Sequence, residues 1–350
     1  QKAQFEDCMG ARAPECTEAN FNPVGTGPFV VTEFRPNDVI TLEANPNYRD
    51  PNKPAFATVL FKGGGDAAGA ARSVLETGEF DYAWNLQVEP EILTAMEAAG
   101  RGEIISAFAT SVERIHVNFT NPSPDLPPEE RSVYLDGTNP HPIMTDPAVR
   151  QAMSMAIDRV LLTEIGYGPA GQPTCNIVPA PAAYASTAND DCLVQDLEGA
   201  AQLLEEAGWV DSDGDGIREK DGIRLSVLYT TSTNSVRQSY QSLIKQWWEE
   251  IGIETELRNV SGSVFFGGDP ASPDTFQKLY ADVAMWTSSS SGTDPQAYLA
   301  RWLCSDIPGP DNQWQGSNAQ RFCDPAYDAK VREMAQTGDL AERGRLAREM

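Results

Sequence analysis

Apolar and polar residues alternate over Phe29 to Phe34 and again over Val39 to Ala44, with the polar turn Arg35 to Asp38 between them. This predicts a hairpin, introduced by Gly25-Thr26-Gly27-Pro28 and ended by Asn45-Pro46-Asn47-Tyr48. A strand over Ala57 to Lys62, a helix over Asp66 to Glu76 and a strand over Phe80 to Trp84 then make a β-α-β unit. A helix over Glu89 to Ala99 and strands over Glu103 to Ala107 and Arg114 to Phe119 follow. Beyond the Pro-rich stretch Asn121 to Pro142 the period becomes helical. Val149, Met153, Ala156, Ile157, Val160 and Leu161 share one side of a helix capped by Thr145, with Pro147 in its first turn. Asp196 caps a helix over Leu197 to Ala207, which Gly208 stops. Strands over Ile223 to Tyr229 and Ile253 to Val260 flank a helix over Ser235 to Ile251, a second β-α-β pattern. A strand over Tyr280 to Trp286, a helix start at Pro295 to Trp302 and a last helix over Asp324 to Gln336 complete the chain. Strands alternating with helices in two blocks predict the α/β class with two lobes.

At 350 residues the chain can bury more than one core. Its 26 basic and 51 acidic residues give a net charge of −25, which repels phosphate backbones and anionic headgroups alike, so nucleic acid and direct membrane-surface binding are not expected. The six cysteines form no C-x-x-C or Cys/His cluster. Several connectivities are formally open, and the simplest closes short local loops: Cys8–Cys16, Cys175–Cys192 and Cys304–Cys323. An even count in loop-like surroundings points to an oxidising compartment.

Candidate chemistry is sparse. His116 lies in a strand and His141 between two prolines, and no nucleophile-elbow, zincin or P-loop pattern occurs, so no catalytic residue, cofactor or enzyme activity is expected. Gly63-Gly64-Gly65 loosely matches a dinucleotide loop, but the acidic residue about twenty positions on, Asp81, opens its strand instead of ending it; a tight turn is the preferred reading. Asp211, Asp213 and Asp215 open a D-x-D-x-D-G run and form a candidate calcium set, yet the twelfth position is Gly222 where the bidentate Glu belongs, which favours a metal-free acidic turn. A secreted hydrolase using Asp269 with Asp274, or Asp211 with Asp215, is the alternative to a binding protein. Trp247-Trp248 reads as helix core, whereas Trp84 and Trp286 end predicted strands and run into the polar loops Asn85-Leu86-Gln87 and Thr287 to Asp294. Rings beside polar groups at the carboxyl ends of strands suit a small polar ligand.

Several strings resemble family 5 of the extracellular solute-binding proteins. These are Gly25-Thr26-Gly27-Pro28-Phe29 with Asn45-Pro46-Asn47-Tyr48, Leu75 to Asp81, the helix Val149 to Arg159, and Leu203 to Trp209 followed by Asp213-Gly214-Asp215-Gly216. The resemblance implies a periplasmic binding protein type II-like fold: two α/β lobes joined by a hinge and closing on a ligand. It implies an importer's ligand-catching subunit that takes an oligopeptide or related small polar solute to the membrane permease of an ABC transporter. A monomer in the periplasm or outside the cell is expected, with a lipid anchor left open, and a solute sensor without transport is the further alternative. Residues 1–23 are expected to end a preceding segment, 24–114 to form part of lobe one, and 115–350 to form lobe two, with both ends read as cut. The family pattern maps ligand contacts onto Trp84, Asn85 and Gln87, onto Asn118 at the crossing, and onto Trp286, Thr287, Ser288, Ser291 and Asp294. Peptide binders of the family carry an Asp at the position of Ser291 to pair the peptide's ammonium. A hydroxyl there gives up that charge-assisted pairing, so sugars, opines and other polar solutes stay open beside peptides.

Overall fold

The computed structural model describes residue 6 and residues 14–350, so the expected Cys8–Cys16 bridge lies outside the described residues. After a short helix α1 (Thr17–Phe21), strands β1 (Phe29–Arg35), β2 (Val39–Ala44) and β3 (Thr58–Lys62) form an antiparallel sheet in chain order. The glycine run after β3 passes under the β1–β2 turn. Gly64 sits at φ 78°, and a Cβ there would meet the Asn37 carbonyl oxygen. Helix α2 (Ala67–Leu75) starts at Asp66, whose carboxylate accepts from the Gly69 N–H, and packs on α3 (Pro90–Glu97) through Ala71, Leu75 and Met96.

The segments Phe80 to Trp84 and Glu103 to Ala107, expected as strands, run as irregular chain. Among the described residues no strand lies beside either one, and alternation becomes a strand only where a neighbour takes its N–H and C=O groups. The first block is therefore an antiparallel meander with two helices and not a β-α-β unit.

Strand β4 (Ser111–Val117) begins the second sheet. The long helix expected from Thr145 to Leu161 is two, α4 (Pro147–Met155) and α5 (Arg159–Gly166). Asp146, not Thr145, caps the first by accepting from Ala148 N–H; the Thr145 hydroxyl donates to the His141 carbonyl instead. Asp158 accepts from Leu161 N–H and starts the second, which turns Val160 and Leu161 out to solvent. Asp196 caps α6 (Leu197–Glu206) as expected. The expected strand Ile223 to Tyr229 divides at Leu225. Its first part, β6 (Ile223–Arg224), pairs with β5 (Glu219–Lys220) in a small hairpin, and the rest belongs to β7 (Ser226–Ser232). Helix α7 (Ser235–Glu250) then crosses to β8 (Glu254–Val260), parallel to β7, and this second β-α-β unit is formed as its pattern predicts. After α8 (Gly262–Phe265), β9 (Val283–Ser289) lies between β4 and β7, giving the order β4-β9-β7-β8 with β4 antiparallel to β9. Helices α9 (Gln296–Leu299), α10 (Pro325–Gln336) and α11 (Leu340–Glu349) close the chain.

One face of this sheet, with Val227, Tyr229, Val283 and Met285, buries against Met153, Leu204, Ile244 and Trp248 of the helices. Trp248 is core, its indole N–H donating to the Met153 carbonyl. The other face, with Ala284 and Trp286, meets Phe265 and Leu279. Disulfides Cys175–Cys192 and Cys304–Cys323, with Cα separations of 6.0 and 4.7 Å, join loops outside the sheet. No helix among the described residues is long and apolar enough to cross a membrane.

Candidate functional site

Strand alternation across β4 and β9 sorts the polar residues into two groups. Arg114 lies opposite Trp286 and His116 opposite Ala284, so these share one face; Glu113 opposite Thr287 and Ile115 opposite Met285 share the other. Trp286 was expected at a strand end, with Thr287 and Ser288 in a loop. In the structure β9 continues to Ser289 because Glu113, Val112 and Ser111 supply backbone partners, which a polar side-chain run does not exclude.

The first face opens into a cavity of about 660 Å³ at the carboxyl end of β9. Trp286 forms its floor and is stacked on His116 with ring centroids 3.4 Å apart and planes 4° from parallel. Gln320 Nε2 donates to His116 Nδ1 at 2.9 Å, so the other nitrogen carries the proton toward the Trp286 carbonyl at 3.3 Å. Burial first, and the nearby Arg114 charge second, hold the His116 pKa well below its usual 6.5, so the ring is neutral. Arg114 lies over the Trp302 ring at 4.8 Å and the Tyr298 ring at 5.6 Å. Its Nε and Nη1 are buried without a hydrogen-bond partner. Burial lowers its pKa, the Tyr298 oxygen opposes that, and the Arg301 charge adds to it.

On the second face Glu113 is a hub. Its Oε2 accepts from Thr287 Oγ1 at 2.6 Å, from Gln87 Nε2 at 3.0 Å and from the Tyr167 hydroxyl at 3.3 Å. Arg237, in the first turn of α7, donates to both carboxylate oxygens at 3.1 Å. Burial beside this carboxylate raises the Tyr167 pKa well above its ordinary value. Gln87 also donates to Tyr167 at 2.8 Å and accepts on its carbonyl from Asn234 at 3.3 Å. A segment of the first block is thereby tied to three elements of the second.

Of the residues named from the sequence, the structure brings Trp286, Thr287, Ser288 and Ser291 together on the cavity wall. Gln87 stands behind that wall, in the Glu113 hub. Trp84 is 77% exposed and, like Asn85, lies away from the wall. Asn118 is fully buried and donates to Ser132 and to the Leu279 and Ala281 carbonyls, holding the chain where β4 ends. Asp294 pairs with Arg343 at 2.6 Å, which holds its carboxyl below the usual range. Asp211, Asp213 and Asp215 do converge, with ligand atoms within 4.8 Å of one another. Asp211 accepts from Gly214 and Gly216 N–H, however, and Asp215 pairs with Arg224 at 2.6 Å. Asp269 accepts from Ala271 N–H in a local turn. Sequence reasoning missed Arg114, Arg301, Glu113 and Arg237. The last two carried a signal, a charge beside the strand and one inside an apolar helical stripe, but their pairing spans 124 positions.

The sequence profile described as bacterial extracellular solute-binding proteins, family 5 Middle, matches residues 6–309. The chain belongs to this family. Among family 5 relatives, the oligopeptide-binding protein AppA of Bacillus subtilis is 28% identical over 70% of this chain and 42% of its own length. The dipeptide-binding protein of Pseudomonas aeruginosa is 24% identical over 94% of this chain and 54% of its own. The chain thus spans about half the length of these curated relatives. Lactococcal OppA, solved with an endogenous peptide in the closed conformation, superposes with a TM-score of 0.75 at 15% identity, covering 100% of this chain and 61% of OppA. The fold is that of the family 5 periplasmic binding proteins, as the sequence resemblance implies.

Proposed function

We propose that this chain captures a small polar solute outside the cytoplasm as the binding subunit of an ABC importer and hands it to the membrane permease, with no bond made or broken. The observation that carries this reading is the cavity at the carboxyl end of β9, whose roughly 660 Å³ falls in the range of about 300–1,000 Å³ usual for small-molecule sites. Trp286 offers an aromatic floor and Ser288 and Ser291 offer hydroxyls, a common pairing for polar solutes, while the Thr287 hydroxyl is committed to Glu113 behind the wall. Residues 24–114 and 115–350 serve as the two moving parts, with Trp84 and Asn85 on the segment that folds over the solute. β4 runs unbroken from Ser111 to Val117 in the second sheet, which supports a boundary earlier than 114, in the irregular residues 101–110, so that Ser111 to Arg114 move with the second part. Closure is favoured only by a solute that touches both parts. The relatives named for oligopeptides and dipeptides make peptides the first solutes to try, with sugars and opines beside them.

Calorimetric titration of the hits from such a panel tests the reading. Trp286→Ala is expected to weaken binding by about tenfold or more, as loss of a buried aromatic anchor does, and Ser288→Trp, which fills the cavity, to abolish it. Full affinity in both variants overturns the site.

A further inference from the structure

We propose that the captured solute carries an oxyanion, a carboxylate or phosphate group, seated between Arg114 and Arg301. This deepens the reading above and rests on the cavity being the solute site. The protein as a whole has 51 acidic and 26 basic residues, yet the cavity wall carries two arginines and no aspartate, glutamate or lysine. Among the described residues neither arginine closes an ion pair. The two guanidiniums flank one ring, Tyr298, at 5.6 and 5.3 Å from its centroid, close enough that Arg301 depresses the Arg114 pKa. Like charges converging in a partly dry wall, with Nε and Nη1 of Arg114 lacking any acceptor, are costly unless an anion fills the gap.

The surroundings agree with an anion. His116 is neutral and committed to Gln320 and the Trp286 carbonyl, so it neither competes for the anion nor balances the arginines. Asp306 feels Arg301 but accepts from the Ser317 backbone at 3.1 Å and does not pair with the guanidinium. Ser288 and Ser291 can donate to further oxyanion oxygens. An ammonium finds no carboxylate in the wall, which disfavours a cationic solute. A planar guanidinium fork suits a carboxylate or phosphate better than a hydroxyl.

The test is calorimetric titration of the chain with four compact probes: glutarate, glycerol 2-phosphate, the neutral glutaramide and the cation 1,5-diaminopentane. One or both anions are expected to bind and the other two to fail, the stronger anion deciding between carboxylate and phosphate. Arg114→Gln and Arg301→Gln, each checked for folding by circular dichroism, are expected to weaken the anion by about tenfold or more. Arg301, the less enclosed of the two, keeps the test valid if the Arg114 variant misfolds. Binding of the diamine or diamide as tightly as the anions, or no anion binding at all, overturns the charge assignment. Anion binding that survives in both arginine variants but is lost in Ser288→Trp overturns the arginines' role and leaves the cavity as the site. Binding that survives in all three variants overturns the site as well.

Discussion

His116 lies ring on ring against Trp286, and both its nitrogens are engaged. Desolvation, then the Arg114 charge, keep the folded pKa well below 6.5. The unfolded chain therefore takes up a proton on this ring below about pH 6.5 while the folded chain does not, and stability falls as pH drops through that value. The slope reaches at most about 1.4 kcal/mol per pH unit. Urea denaturation between pH 7 and 5 should show a smaller loss in His116→Gln than in the wild type; equal losses refute the assignment. The sequence places this histidine on a strand, and that holds. Its stacking partner stands 170 positions away, so nothing local to the residue reveals the contact. A comparably long separation hides Arg114 and Arg301, which become neighbours only because Tyr298 of α9 lies against both guanidiniums.

Among the elements, the join between the two blocks rests on Glu113 at the margin of β4. The carboxylate and Arg237 are nearly enclosed, with side chains 12% and 6% exposed, and Gln87 reaches the same oxygen from the first block. Glu113→Gln leaves a buried guanidinium without its counter-charge and is expected to cost about 3–5 kcal/mol in chemical denaturation. A loss under about 1 kcal/mol shows that the pair is not load-sharing, as for exposed ion pairs. The element β7-α7-β8 was legible because its strand and helix periods are uninterrupted and its partners are consecutive. Phe80 to Trp84 was misread because alternation reports which side chains differ, not whether a neighbouring strand exists. Thr287 to Ser289 was misread the other way: polar side chains hid a ladder that β4 completes. The break between α4 and α5 turns on Asp158, whose capping bond competes with continuing the helix.

For the whole molecule, a net charge of −25 makes self-repulsion a general term opposing the compact state. Exposed charges more than about 8 Å apart are largely screened at physiological ionic strength, and added salt shortens that reach. Surface pairs such as Arg345 with Glu342 contribute little and lose little. The thermal midpoint at neutral pH is thus expected to rise with added sodium chloride, and a midpoint that falls shows that local pairing outweighs repulsion. By itself the sequence determined the α/β class, the helix cap at Asp196, the second β-α-β unit, the two local disulfides and membership of the solute-binding family. These depend on residues near one another in the chain or on strings read in order. The tertiary structure alone decided the cavity, the stacked His116 and Trp286, the unpaired arginines and the Glu113 hub, because each is made by strands and helices whose side chains meet only after distant segments pair, and a side chain's charge or ring carries no record of what it will face.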